Sequence, residues 1–150
     1  MRLLRTAGFA VACICLAQGA SAATIAETVA QWGLTGTWAT DCNSPPSLRG
    51  NVYLTFAVHG DQVTMHRAYG SGTDDSPLLS AGIRDDGALV IELDLAGGFG
   101  TFEDVLIKDA DGHERSMATR SLRTGEYTIK DGVVVSTGKP SPWINHCPGI

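Results

Sequence analysis

VYLTFAVHGDQVTMHRAY, residues 52–69, is two alternating runs of apolar and polar side chains on either side of a Gly-Asp pair. Such a pair between alternating runs marks a two-residue β-hairpin loop. With Gly60-Asp61 as that loop, Val58 faces Val63, Phe56 faces Met65, Leu54 faces Arg67 and Val52 faces Tyr69, all on one side of the ribbon. That side is apolar except for Arg67 and, in part, Tyr69. The other side carries Tyr53, Thr55, Ala57, His59, Gln62, Thr64, His66 and Ala68, a polar or small set suited to water. The hairpin thus has a core face and a solvent face, as antiparallel sheets commonly do.

The same punctuation recurs outward from this hairpin, at Asp86-Gly87, Asp111-Gly112, Thr124-Gly125 and Asp131-Gly132. Strands are expected near residues 36–42, 51–59, 62–69, 79–85, 88–95, 101–109, 113–123, 126–130 and 133–138. Tight turns can join only antiparallel neighbours. About eight or nine strands in simple succession make an all-β, antiparallel up-and-down meander, and closing it into a barrel would remove its exposed edges. A flattened sandwich is the structural alternative. Leu89, Ile91, Leu93 and Leu95 alternate with Val90, Glu92 and Asp94 and supply a second candidate inner wall. Ahead of the strands, Thr24 with Glu27 forms a capping box, Ile25, Val29 and Trp32 fall at helical spacing, and Gly33 ends the turn. This predicts one short N-terminal helix.

The first residues read as an export signal: Arg2 and Arg5 form a basic start, Ala7 to Ala17 an apolar run, and Ala20-Ser21-Ala22 a small-residue cleavage site. The apolar run is shorter than the roughly 20 residues a membrane-spanning helix needs. Residues 1–22 are therefore expected to be a signal peptide and 23–150 a single domain, placed in the periplasm or secreted. Cys13 and Cys15 lie in the signal, which leaves Cys42 and Cys147 as the only thiols of the exported chain. In an oxidising compartment they have each other as the one intramolecular partner, and a disulfide is expected. Without Arg2 and Arg5 the basic side falls from 11 to about 9 residues against 16 acidic ones, a net charge of about -7. Neither nucleic acid nor an anionic membrane surface is expected as a partner.

Gly36-Thr37-Trp38 is a G-x-W on the first strand, directly after a short helix and ahead of a meander. In this the chain resembles the lipocalins and the wider calycin group, and more closely small exported bacterial β-barrel proteins with a similar Gly36 to Cys42 stretch. The resemblance implies that Trp38 packs at the closed end of a barrel against an arginine from a late strand, matched here by Arg120 or Arg123. It also implies that the open end admits a small apolar ligand.

The expected lining combines the two inner walls: Leu54, Phe56, Met65, Arg67, Tyr69, Leu89, Ile91 and Leu93. An inward arginine is costly unless paired, so Arg67 needs an internal carboxylate, a ligand anion or access to water. The expected function is binding of a small apolar or amphipathic ligand in the barrel, and the alternative is a protein interaction or inhibitor module with a packed interior. No protein partner is read from the sequence. His59, His66, His113 and His146 lack metal-site spacing, and no nucleophile elbow, P-loop or zinc-protease motif occurs. Neither a cofactor nor an enzymatic activity is expected. Glu103 with Asp104 reads as the solvated start of a strand. The glycine-rich run Gly97 to Phe102 is a candidate gate.

Overall fold

A computed structural model describes residues 22–150 of the chain; the export-signal reading falls on residues 1–21 and lies outside the described residues. Helix α1 (Ile25–Trp32) starts as its capping box requires. The Glu27 amide donates to Thr24 Oγ1 at 3.2 Å, and the Thr24 amide donates to Glu27 Oε2 at 2.8 Å. Gly33 ends the helix in the left-handed region at φ 76°, a conformation glycine takes without penalty.

Eleven strands follow: β1 (Gly36–Ala39), β2 (Tyr53–His59), β3 (Gln62–Ala68), β4 (Thr73–Ile83), β5 (Leu89–Leu95), β6 (Gly100–Lys108), β7 (Glu114–Ser121), β8 (Tyr127–Lys130), β9 (Val133–Val134), β10 (Lys139–Pro140) and β11 (Asn145–His146). All pairings are antiparallel, and each strand from β1 to β9 pairs with the next in sequence, while β11 pairs with β1. The fold is thus an all-β up-and-down meander with one short helix. It has more strands than expected because β10 and β11 are two-residue elements, too short for side-chain alternation to mark them. Strand β4 also begins six residues earlier than expected. Asp74 and Asp75, which read as a loop in sequence, lie opposite Arg67 and His66 and pair with them.

The ladders form an open series, not a ring, with β10 at one end and β11, beside β1, at the other. One isolated bridge reaches back: Glu114 at the start of β7 pairs with Ile144, the residue before β11.

The register of the founding hairpin is the one its turn imposes, with Leu54 opposite Arg67, Phe56 opposite Met65 and Val58 opposite Val63. It stops at Tyr53 opposite Ala68, so Val52 and Tyr69 lie beyond the ladder. At the β8–β9 turn, Asp131 and Gly132 both have positive φ, 53° and 72°, as the two-residue turn matching sheet twist demands. Inside the meander, Leu34, Trp38, Val63, Leu78, Leu89 and Ile91 form the fully buried core, with Val29 of α1 packed into it.

Cys42 and Cys147 lie at disulfide distance, with Cα atoms 5.4 Å apart and a sequence separation of 105. The link ties the loop after β1 to the segment after β11. A crosslink closing a loop this long is worth about 4 to 5 kcal/mol in the chain-entropy account.

Candidate functional site

Two adjoining chambers lie along the inner face of the meander. The smaller and more enclosed one has a volume of about 160 Å3, and the larger one, about 440 Å3, opens toward solvent. Leu54, Met65, Asp104, Ser116 and Ile129 border both, so the two share a wall. Strand alternation explains this lining. Leu54 and Met65 come from the core face of the β2–β3 hairpin, and Phe102, Asp104 and Leu106 from one face of β6.

Of the expected lining residues, Phe56 and Ile91 border the smaller chamber, and Arg67 and Leu93 the larger one. Leu89 is fully buried in the core instead. Tyr69 sits farther out, with Leu48, Val52, Arg67, Asp74 and Phe99 around a third, shallow depression. Phe99, in the candidate gate, borders both the larger chamber and this depression and is 64% exposed.

Arg67 faces inward and has a partner. Its Nε donates to Asp74 Oδ1 and its Nη2 to Asp74 Oδ2, both at 2.7 Å. The two-pronged pairing raises the guanidinium pKa further. Of the three ways of accommodating this charge, two are present: the Asp74 carboxylate and partial access to water.

Two acids stand on the chamber wall instead, and sequence reading gave neither its place. Asp104 is not the solvated strand start expected from Glu103-Asp104; it shares a face with Phe102 and Leu106 and borders both chambers. The partial accessibility it keeps is that of a cavity wall. Ser116 Oγ and Thr119 Oγ1 each donate to it at 3.0 Å. Enclosure outweighs these hydrogen bonds and lifts its pKa to about 6. Glu114 is only 1% exposed and borders the smaller chamber. Burial pushes its pKa up to about 8, against the pull of Lys108 and with a further push from Asp104. Its Oε2 has no hydrogen-bond partner among the described residues.

The in-phase placement of Asp104 between Phe102 and Leu106 was the signal available in sequence. Glu114 had none. The register of β6 against β7 shifts between Val105 and Leu106, which places an extra residue, Met117, on β7 and breaks the alternation on that strand.

Trp38 borders neither chamber and lies in the buried core. It is 2% exposed, and its Nε1 donates to Leu34 O at 2.8 Å. The His146 ring packs edge-on against it with centroids 5.1 Å apart. A Cβ on Gly36 would come within 2.5 Å of His146 Nε2, so the G-x-W spacing leaves room for that ring. The cation over Trp38 is neither Arg120 nor Arg123 but Lys108 of β6, with Nζ 5.3 Å from the ring centroid. Lys108 Nζ also donates to Trp32 O and Gly33 O at 2.8 and 3.0 Å, capping the C-terminus of α1. Arg120 instead donates to Glu103 at 3.1 Å.

No histidine lines either chamber. His66 meets Asp75 at 2.6 Å, and His113 meets Asp109 at 2.7 Å. Asp109, Asp111 and His113 lie within 4.8 Å of one another, but Asp109 already accepts from the Asp111 and His113 amides, which makes the group a self-satisfied turn. Among the described residues no helix is long and apolar enough to cross a membrane.

In comparison with known proteins, the chain matches no protein-family model, and no curated protein or solved structure is significantly similar to it.

Proposed function

We propose that this chain is a small exported β-barrel of calycin type that binds a small, partly apolar molecule between its walls without transforming it. The observation that carries this reading is the pair of adjoining chambers, mostly apolar in lining, with a few polar groups turned into them. A packed interaction module would have filled that space with its own side chains. The Glu114–Ile144 bridge supports closure, since it links β7 through the C-terminal segment to β11, and β11 pairs with β1. Strands β1 to β7 and that segment would then form the ring, with β8 to β10 as an appendage beside it. The glycine-flanked Phe99 at the rim of the larger chamber is the proposed gate. The Cys42–Cys147 pair supports a periplasmic or extracellular location.

The test is native mass spectrometry of the exported protein before and after solvent extraction, repeated on Leu54→Trp, which fills the wall common to both chambers. An extra mass that extraction removes, and that the folded variant lacks, is expected. A bare protein that also takes up no apolar probe would overturn the reading.

A further inference from the structure

We propose that the smaller chamber receives the nitrogen head of an amphipathic organic ammonium ion, held by the carboxyl groups of Glu114 and Asp104, while the apolar body lies in the larger chamber. This rests on the cavity-binding reading above and names its ligand class.

The argument starts from an orphan. Three buried side-chain atoms lack a hydrogen-bond partner among the described residues: Glu114 Oε2, Arg115 Nε and Arg120 Nε. The two arginines have partners through other atoms. Arg120 donates to Glu103, and Arg115 lies 4.7 Å over the Trp143 ring with Nη2 near Met117 Sδ. The Glu114 carboxyl has no such alternative, although its backbone is fully engaged with Ile144 at 3.0 and 2.8 Å. A residue needed there only for the bridge would not have to be an acid, and an unpaired buried carboxyl destabilises the fold. Unsatisfied polar groups of this kind are retained where something else completes them.

What completes it follows from the charges that face it. From β6, Lys108 attracts it, but that ammonium is already engaged by the carbonyls of Trp32 and Gly33. Also from β6, Asp104 repels it and borders the same chamber. From β7, Arg115 borders the chamber with its guanidinium over Trp143, and Ser116 turns its hydroxyl to Asp104. From β3, Arg67 at the larger chamber is neutralised by Asp74. The segment Ser141, Pro142 and Ile144 brings no charge. The acids of this chamber without a cationic partner of their own are therefore Glu114, whose Oε2 is unpaired, and Asp104, which accepts only from two neutral hydroxyls, and the ligand they complement is a hydrogen-bond donor carrying positive charge. An anionic head would meet the Asp104 carboxylate, and the one cation on that wall, the Arg115 guanidinium, is stacked on Trp143. In the empty cavity Glu114 holds a proton at neutral pH, and an arriving ammonium ion displaces it.

Three ligands sharing one apolar body separate the possibilities: octylamine, octanol and octanoate, titrated calorimetrically into the exported protein at neutral pH in two buffers of different ionisation enthalpy. Octylamine is expected to bind about tenfold or more tighter than octanol, with octanoate weakest and proton release accompanying only the amine. Glu114→Gln should lose about tenfold in octylamine affinity and much of the proton release, while octanol affinity, which reports an intact cavity, changes by less than about twofold. Asp104→Asn is the second variant should the first misfold. Equal binding of amine and alcohol, or tightest binding of octanoate, overturns the ammonium assignment and leaves the cavity reading standing. Binding of none of the three overturns both.

Discussion

Glu114 and Ile144 exchange both backbone hydrogen bonds, the Glu114 amide donating at 3.0 Å and the Ile144 amide at 2.8 Å, although the rest of β7 and three further strands lie between them in sequence. The same segment continues into β11, whose His146 pairs with Trp38 on β1. The C-terminal segment is thus in hydrogen-bond contact with an early strand and a late one.

Ile144→Pro removes the amide that donates to Glu114 O. It should cost about 1 to 3 kcal/mol more than Ile144→Ala, which keeps the backbone bond. Urea unfolding of the two variants measures the difference, and equal midpoints would show that the bridge contributes nothing.

Replacing Cys42 and Cys147 together by serine should lower stability by up to about 4 kcal/mol, because the unfolded chain regains the freedom of a long loop. The unreduced wild-type protein should show no free thiol on alkylation. Labelling of either cysteine without reductant would contradict the bridge.

The Arg67–Asp74 fork is only partly shielded, with side chains 28% and 19% exposed. Its coupling energy in a double-mutant cycle with Arg67→Ala and Asp74→Ala should be about 1 to 2 kcal/mol, above the range for exposed pairs. Arg67→Lys should recover less than half of it, because an ammonium cannot make both parallel bonds.

Glu114 gives stability a direction in pH. Its folded pKa, about 8, lies above its ordinary value of 4.5, so between these values the folded state binds more protons than the unfolded one. Stability is then greatest below about pH 5 as far as this group is concerned, and declines as pH rises through 8. Asp104 acts in the same sense between 3.8 and about 6. The thermal midpoint should fall between pH 5 and 9, and Glu114→Gln, which cannot ionise, should flatten the upper part of that fall. A midpoint that rises over this window in the wild type would refute the assignment.

Much of the local structure was legible before any coordinates. The capping box placed α1 because both of its hydrogen bonds form within four residues. The β2–β3 register followed from a two-residue loop, which leaves the strands no other alignment. The start of β4 was not legible. Asp74 and Asp75 have low strand propensity, and only their partners Arg67 and His66 on the neighbouring strand make an extended conformation favourable there. The cation over Trp38 was also missed, since Lys108 reaches the ring through the fold and not through any local pattern.

By itself the sequence determined the elements whose causes are local: a capped helix, hairpins set by tight turns, and alternation that marks one face of each ribbon; among the described residues it also left one pair of cysteines for a bridge. Tertiary structure alone decided what that face encloses. Whether Asp104 and Glu114 meet water or a cavity depends on a register shift in β7 and on the C-terminal segment returning to Glu114, which are contacts between distant parts of the chain. Side-chain period fixes which way a residue points, but long-range pairing fixes what it points at.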